Sequence, residues 1–364
     1  MNFHLLYQWS QELASYLPSL NSWQIANVAL FSVGVIRAEH CQQEQVARQS
    51  NCGEKVSSTS RRWRRFLGNT DFPLQAFFRE WAAWVLGRCE SEKFYLLVDE
   101  TKLQNRFSIM MLGLAWEGRC IPLAWRCWIA NDKEQSPQEG QVGVIEKLLQ
   151  SIAASIPPGK QVILLADRGI GTSPALCRVV ESLGWYFLFR VTRQSKICTD
   201  HGDYTIAKMV QSGEIWAADG LIFKQRGRIP AGARAIWAKG YDEPWALVTN
   251  DPLLTGHEYA LRNWQEQSFR DLKSHGWQWS DTRIRKADHL ERLLVILVVA
   301  YAWMIALGCY AVHYDRATKL VDDAEKGLKR HWSLFKEGLQ FFTDYLLKTG
   351  VCLTLCFVPD KRFT

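Results

Sequence analysis

The chain has 364 residues, 48% of them hydrophobic and 22% charged. That composition excludes a disordered, collagenous or low-complexity chain, and roughly 100–200 residues per domain allows two or three domains. Lys and Arg number 44 against 37 Asp and Glu, and the resulting +7 permits a polyanionic partner without demanding one.

Residues 1–90 read as helical. Apolar residues recur at helical spacing around Trp23–Phe31 and again around Phe77–Val85. Between them lies a polar break in which Ser57, Ser58, Thr59 and Ser60 are candidates to cap a helix. Arg61, Arg62, Arg64 and Arg65 follow, around Trp63. Four arginines opening a helix could grip phosphates with help from the helix N-terminus, or simply form a solvated basic face.

The character changes at Phe94. The apolar runs 94–98, 107–116 and 120–128, with a turn at Glu117-Gly118, predict a three-stranded antiparallel meander. A helix is expected over 139–156, then a fully apolar strand at 162–166, a helix, and a strand at 185–191. Strand–helix–strand units put parallel strands side by side. Asp99 and Asp167 close two of the apolar runs, and ligands of open sheets bind at the carboxyl ends of strands. Glu100 points to the other side if its strand continues.

Residues 192–250 look β-rich, with glycines punctuating short apolar runs and a hairpin expected around Tyr241-Asp242. After Pro252 the pattern turns helical through about 312, and the last fifty residues read as helical without assignable chemistry. Leu293–Val312 carries no charge and is long enough to span a bilayer. Basic residues flank it on both sides, so no orientation follows, and a buried central helix is the preferred reading.

Other features exclude more than they assign. The ten cysteines include no Cys-x-x-Cys pair, and Cys352 and Cys356 have no nearby His to complete a zinc site. They read as reduced thiols of a cytosolic protein. Met1–Ser10 lacks the basic and apolar regions of a signal peptide, so none is expected. The seventeen Trp can stack on bases or fill cores, and the core is the default reading.

A carboxylate ending a buried strand suits Mg²⁺, but two aspartates alone are a weak sign. A third acid lies in the segment from Tyr259 to Lys273. Tyr259, Arg262, Glu266 and Lys273 fall three, four and seven residues apart, which on a helix makes one polar stripe. An ordinary amphipathic surface helix would look the same.

That spacing resembles the Y-R-E-K signature of DDE transposases of bacterial insertion sequences. The segments around Asp99 and Asp167 resemble the first and second Asp motifs of the same family. The resemblance runs from about Phe94 to Gly308, and more weakly over the basic N-terminal region. It implies an α/β fold: an RNase H-like mixed sheet flanked by helices, with a β-rich insertion before the catalytic-Glu helix. The implied organisation is a helical DNA-binding region (1–90), a core in two parts (91–191 and 253–312), the insertion (192–252) and a helical C-terminal region (313–364). The resemblance implies that Asp99, Asp167 and Glu266 are catalytic and bind two divalent ions, Mg²⁺ or Mn²⁺. Tyr259, Arg262 and Lys273 would contact phosphates of double-stranded DNA. Arg190, Arg283, Arg285 and Lys286 are further DNA-facing candidates beside the four N-terminal arginines. The reaction would cut element ends and join their 3′-hydroxyls to target DNA, with a dimer pairing the ends. A cytoplasmic, nucleoid-associated enzyme is expected, with no membrane. The alternative is a metal-dependent RNase H-fold nuclease without strand joining. A DNA-binding protein without catalysis is a third reading, against which the complete acidic triad counts.

Overall fold

The computed structural model describes residues 2–50, 53–132, 134–223, 227–314, 332–353 and 357. Five helices open the chain: α1 (Phe3–Tyr16), α2 (Ser22–Ala38), α3 (Gln43–Gln49), α4 (Val56–Leu67) and α5 (Leu74–Leu86). α2 begins with a capping box, in which the Asn21 and Gln24 side chains each accept from the other's backbone N–H. α4 departs from expectation. Its cap is Lys55, without a side-chain hydrogen bond, and the four Ser and Thr candidates lie inside it. Thr59 is buried on the same face as Trp63, which carries the helix back past the serines. The four arginines therefore lie beyond the first turn, where the helix dipole gives an anion little help.

The meander follows as β1 (Lys93–Leu103), β2 (Phe107–Trp116) and β3 (Arg119–Ile129), and then α6 (Gly140–Ala153) leads to β4 (Gln161–Ala166). The short α7 (Arg168–Gly171) and α8 (Pro174–Ser182) lead to β5 (Tyr186–Arg190). β6 (Lys196–Thr199), β7 (Gly202–Thr205), β8 (Ile215–Ile222), β9 (Ile229–Ile236) and β10 (Trp245–Thr249) complete the strands. All belong to one ten-stranded mixed sheet in the order β3-β2-β1-β4-β5-β10-β9-β8-β6-β7. β1, β4 and β5 are mutually parallel, and β10 joins antiparallel to β5, so the strands after 192 prolong the same sheet. The expected hairpin is β9 and β10, paired Trp245 to Ile236.

β1 does not stop at Asp99. It runs on to Leu103 because β2 continues to pair with it, Asp99 opposite Met111 and Leu103 opposite Phe107. Its parallel neighbour β4 ends at Ala166, opposite Val98. Asp99 is thus inside a strand, yet past the end of the parallel pair.

The helical stretch after Pro252 is broken rather than continuous. A 3₁₀ segment (His257–Arg262) passes into α9 (Asn263–Arg270) and then a π-helical turn (Asp271–His275). Gly276 breaks the run at a point where a Cβ would meet the Asp271 carbonyl at 2.6 Å, and Trp277 and Trp279 plunge into the core. α10 (Ala287–Tyr314) follows, and α11 (Leu334–Phe341) packs on it. α10 is long and apolar enough to cross a membrane, but 94% of its apolar window is buried inside the protein. Trp9 of α1 stacks on its Trp303 with ring centroids 3.9 Å apart. Gly308 and Gly338 let α10 and α11 meet backbone to backbone, since a Cβ at either would lie within about 2.0 Å of a carbonyl oxygen of the other helix. The expectation of a helical 313–364 falls partly outside the described residues, as do Cys52 and Cys356. Among the described residues the cysteines are free thiols.

Candidate active site

Alternation along the strands sets the face on which the site is built. Leu97, Ile163, Leu165 and Leu188 form a small cluster on one face of the sheet, covered by Leu254 and Tyr259. Leu96, Val98, Leu164 and Phe189 join the large cluster on the other. Asp99 is two residues beyond Leu97, Asp167 two beyond Leu165, and Arg190 two beyond Leu188. All three therefore leave the sheet on the small-cluster face, just past its apolar layer.

Above that face, Arg262 ends the 3₁₀ segment and points its guanidinium between the carboxylates. Nη2 lies 2.8 Å from Asp99 Oδ2 and 3.7 Å from Asp167 Oδ2. Nη1 donates to Glu266 Oε1 at 2.6 Å, one helical turn further on. Three acids from β1, the end of β4 and α9 thus surround one cation. Nε of Arg262 is buried and, among the described residues, has no hydrogen-bond partner. Burial works against the Arg262 charge, but Asp99, Tyr259, Glu266 and Asp167 together hold its pKa above the ordinary value.

The carboxylates are not equivalent. Burial pushes the Asp99 pKa up to about 6, with Arg262 opposing the rise and Asp167 adding to it. Asp99 also accepts from the Glu100 N–H at 2.9 Å. Asp167 caps α7, accepting from the Ile170 N–H at 3.0 Å, and is more open to solvent. Glu266 is half exposed.

The other signature residues divide. Lys273 sits on the π-helical turn and donates to Thr101 Oγ1 of β1 at 2.6 Å. Burial lowers its pKa, against the pull of Asp99. The Tyr259 ring is buried and packs edge-on to Trp245 at 5.1 Å. Burial raises its hydroxyl pKa to about 12, while Arg262 and Arg190 both act to lower it.

Residues that spacing did not single out hold α9 in place. From its opposite face Gln265 donates to the Met111 carbonyl at 3.0 Å, and Ser268 accepts from the Cys120 N–H at 2.7 Å. Asp271 pairs with Arg119 at 2.5 Å and accepts from the Tyr301 hydroxyl at 3.1 Å. Gln265, Ser268 and Asp271 recur every three residues, the only sequence signal they gave.

Of the other basic candidates, four line one groove, three more lie on α4 and one ends β5. Arg64, Arg283, Arg285 and Lys286 line one groove of about 530 Å³ with His289, although they are more than two hundred residues apart in sequence. The loop carrying Arg283 is held by the β1–β2 turn, where Arg106 donates to the Ile284 carbonyl at 2.8 Å. Arg61 and Arg65 are exposed, and Arg62 donates to Asn27 at 2.7 Å. Arg190 is instead bound to Glu243 of the β9–β10 connection.

Among the described residues no three or more His, Cys, Asp or Glu are drawn together tightly enough to hold a metal ion. The three acids are spread around a guanidinium. Their chemistry still fits a hard divalent cation, because the donors are all carboxylate oxygens and a positive group already stands between them.

Residues 136–303 match the family model of the transposase DDE domain. No curated protein matches the chain. The match supports a DDE transposase, an enzyme of a family that acts on DNA and is generally dependent on divalent metals. It contains Asp167, Tyr259, Arg262, Glu266 and Lys273 and begins beyond Asp99, which the sheet register places beside Asp167. Together with the mixed sheet, its flanking helices and the helical N-terminal region, it fits an α/β RNase H-like transposase fold.

Proposed function

We propose that this chain is a DNA transposase of the Y-R-E-K group, which cuts at the ends of an insertion sequence and joins the 3′-hydroxyl ends to target DNA. The observation that carries the reading is the convergence of Asp99, Asp167 and Glu266 on one cation. Three acids from distant parts of a chain rarely gather unless a positive charge belongs among them.

Asp99, Asp167 and Glu266 would hold two divalent ions, Mg²⁺ or Mn²⁺. Such ions supply a hydroxide or alkoxide nucleophile near neutral pH and stabilise the leaving oxygen of a phosphodiester. The chain's own residues do the rest. The register of β1 and β4 fixes the two aspartates side by side, and the contacts of Gln265, Ser268 and Asp271 fix the height of Glu266 above them. For Asp99, Asp167 and Glu266 to hold an ion, Arg262 would have to give up its contacts with them. A DNA phosphate offers its guanidinium a bidentate acceptor in exchange. Lys273 and the hydroxyl of Tyr259 would steady neighbouring phosphates. The groove of Arg64, Arg283, Arg285 and Lys286, with Arg61, Arg62 and Arg65 nearby, would carry flanking DNA. A dimer would pair the two ends, and the site of action would be the nucleoid in the cytoplasm.

The test is incubation with DNA carrying the flanks of the chain's own gene plus a target plasmid, with Mg²⁺ or with EDTA. Metal-dependent cuts at the element ends together with joined products are expected. Cuts without joining would replace the transposase by an RNase H-fold nuclease, and binding without cuts would remove the catalytic reading.

A further inference from the structure

A second charged cluster lies beside the carboxylates and has the opposite balance. Glu243 receives three arginines: Arg190, Arg193 at 2.9 Å and Arg168 at 3.9 Å. Arg168 directly follows Asp167, Arg190 ends β5, and Arg193 lies just beyond it. Glu243 comes from elsewhere, the connection between β9 and β10. Asp167 of the first cluster and Arg168 of the second are consecutive residues, so the two clusters adjoin.

One carboxylate cannot neutralise three guanidiniums. Arg168 and Arg193 are each about half exposed, at 48% and 51%, so their pairs with Glu243 are of the weak, solvent-screened kind. The positive surface also continues past them. A groove of about 570 Å³ against Pro244 is lined by Arg193, Lys196, Lys208 and Trp237, and among the described residues no acid lines it. Guanidinium forks bind a phosphodiester in the same bidentate way as a carboxylate. The position held by Glu243 is therefore an anion site, and the groove offers a polyanion a path onward from it.

We infer that Arg168, Arg190 and Arg193 form a backbone-phosphate site for DNA next to the carboxylates, and that Glu243 is its internal occupant, displaced when DNA binds. The exchange is ionic: one carboxylate leaves to solvent, one phosphodiester takes its place, and no covalent bond changes. The inference rests on the reading of the chain as a DNA-acting enzyme. It makes the β9–β10 connection a brake on binding, because DNA must first open the Glu243 contacts.

The experiment is fluorescence-anisotropy titration of the full chain with a fluorescein-labelled duplex of arbitrary sequence over a salt series, without metal. Glu243→Gln should bind the duplex more tightly by roughly fivefold or more, the lower range of ordinary intramolecular coupling. Arg193→Ala should bind more weakly and lower the slope of log K against log salt by about one. Thermal melting of each variant separates this from a structural role, since a merely structural Glu243 would lose melting temperature and binding together. Equal or weaker binding by a folded Glu243→Gln overturns the inference, as does an unchanged salt slope for Arg193→Ala. Wild-type protein that shows no salt-dependent duplex binding would instead sink the DNA reading itself, and the inference with it.

Discussion

Arg262 and Glu243 mark two clusters that are near mirror images in charge. At the first, one guanidinium stands among three carboxylates, and at the second, one carboxylate stands among three guanidiniums. Both lie beyond the carboxyl ends of parallel strands on the same face of the sheet. The first holds too little positive charge and the second too little negative charge. Each internal partner therefore occupies a place suited to a stronger ligand of its own sign, a divalent cation in one case and a phosphate in the other. On the proposed reading, the two deficits side by side would serve a metal ion and a DNA backbone.

The sharpest way to break the comparison is to remove the acids. Asp99→Ala, Asp167→Ala or Glu266→Ala should each lower DNA cleavage by roughly a thousandfold or more, because such groups act as a unit. Duplex affinity should stay close to wild type. Full cleavage by any one of these variants would take that residue out of the site.

Next comes the support of the first cluster. Asp271→Ala strands the Arg119 guanidinium, 16% exposed, and removes one of two partners of the Tyr301 hydroxyl, leaving Ser268. Breaking one side of such a buried pair costs about 3 kcal/mol. Urea denaturation should show that loss, and a change near zero would mean that α9 is held by its other contacts.

A smaller effect distinguishes the buried acid from the exposed ones. Burial raises the Asp99 pKa from 3.8 to about 6 in the folded chain, so ionisation of this group costs the fold stability. The penalty is absent below pH 3.8, grows through the interval and is complete above about pH 6. Asp99→Asn escapes it. In metal-free buffer the variant should gain on wild type by on the order of 2 kcal/mol as pH rises across that window. A stability difference that does not change with pH would show that Arg262 compensates the burial of Asp99 completely.

The mildest substitutions fall on the N-terminal helix. Arg61→Ala and Arg65→Ala remove exposed side chains and should leave stability within about 0.5 kcal/mol. Each should reduce the salt slope of duplex binding by about one if it contacts a phosphate. An unchanged slope would assign these arginines to a solvated face.

Much of the first cluster was legible in the sequence. Apolar runs closed by Asp99 and Asp167 announced buried parallel strands, and the spacing from Tyr259 to Lys273 announced the third acid. The resemblance supplied the chemistry proposed for it. The position of Arg262 among the acids was not legible, because it depends on the change from a 3₁₀ segment to α9 directly above the sheet. Nor was the burial of Tyr259, which fills a small apolar cluster on a face that no periodicity identifies. Asp99 read as a strand end because its apolar run stops there, whereas pairing with β2 carries the strand further. The Ser and Thr residues before Arg61 read as caps because local propensity favours them, and burial of Thr59 overrode it. Glu243 gave no sign at all. An acid in a turn is ordinary until tertiary structure brings three arginines from other segments to it.

The measurement that tests the central claim most directly is Mn²⁺ binding to the metal-free full chain, followed by the electron-spin resonance of the free ion. Wild-type protein should bind weakly without DNA. Arg262→Gln should bind roughly tenfold more tightly, since a unit charge about 4 Å away is worth about 1 kcal/mol even at the dielectric of bulk water and about 4 kcal/mol at an effective dielectric near 20. Asp99→Asn in the Arg262→Gln background should abolish the gain. If Arg262→Gln binds Mn²⁺ no better than wild type, or if the gain survives Asp99→Asn, the carboxylates gathered around Arg262 are not a metal site, and the catalytic account fails with them.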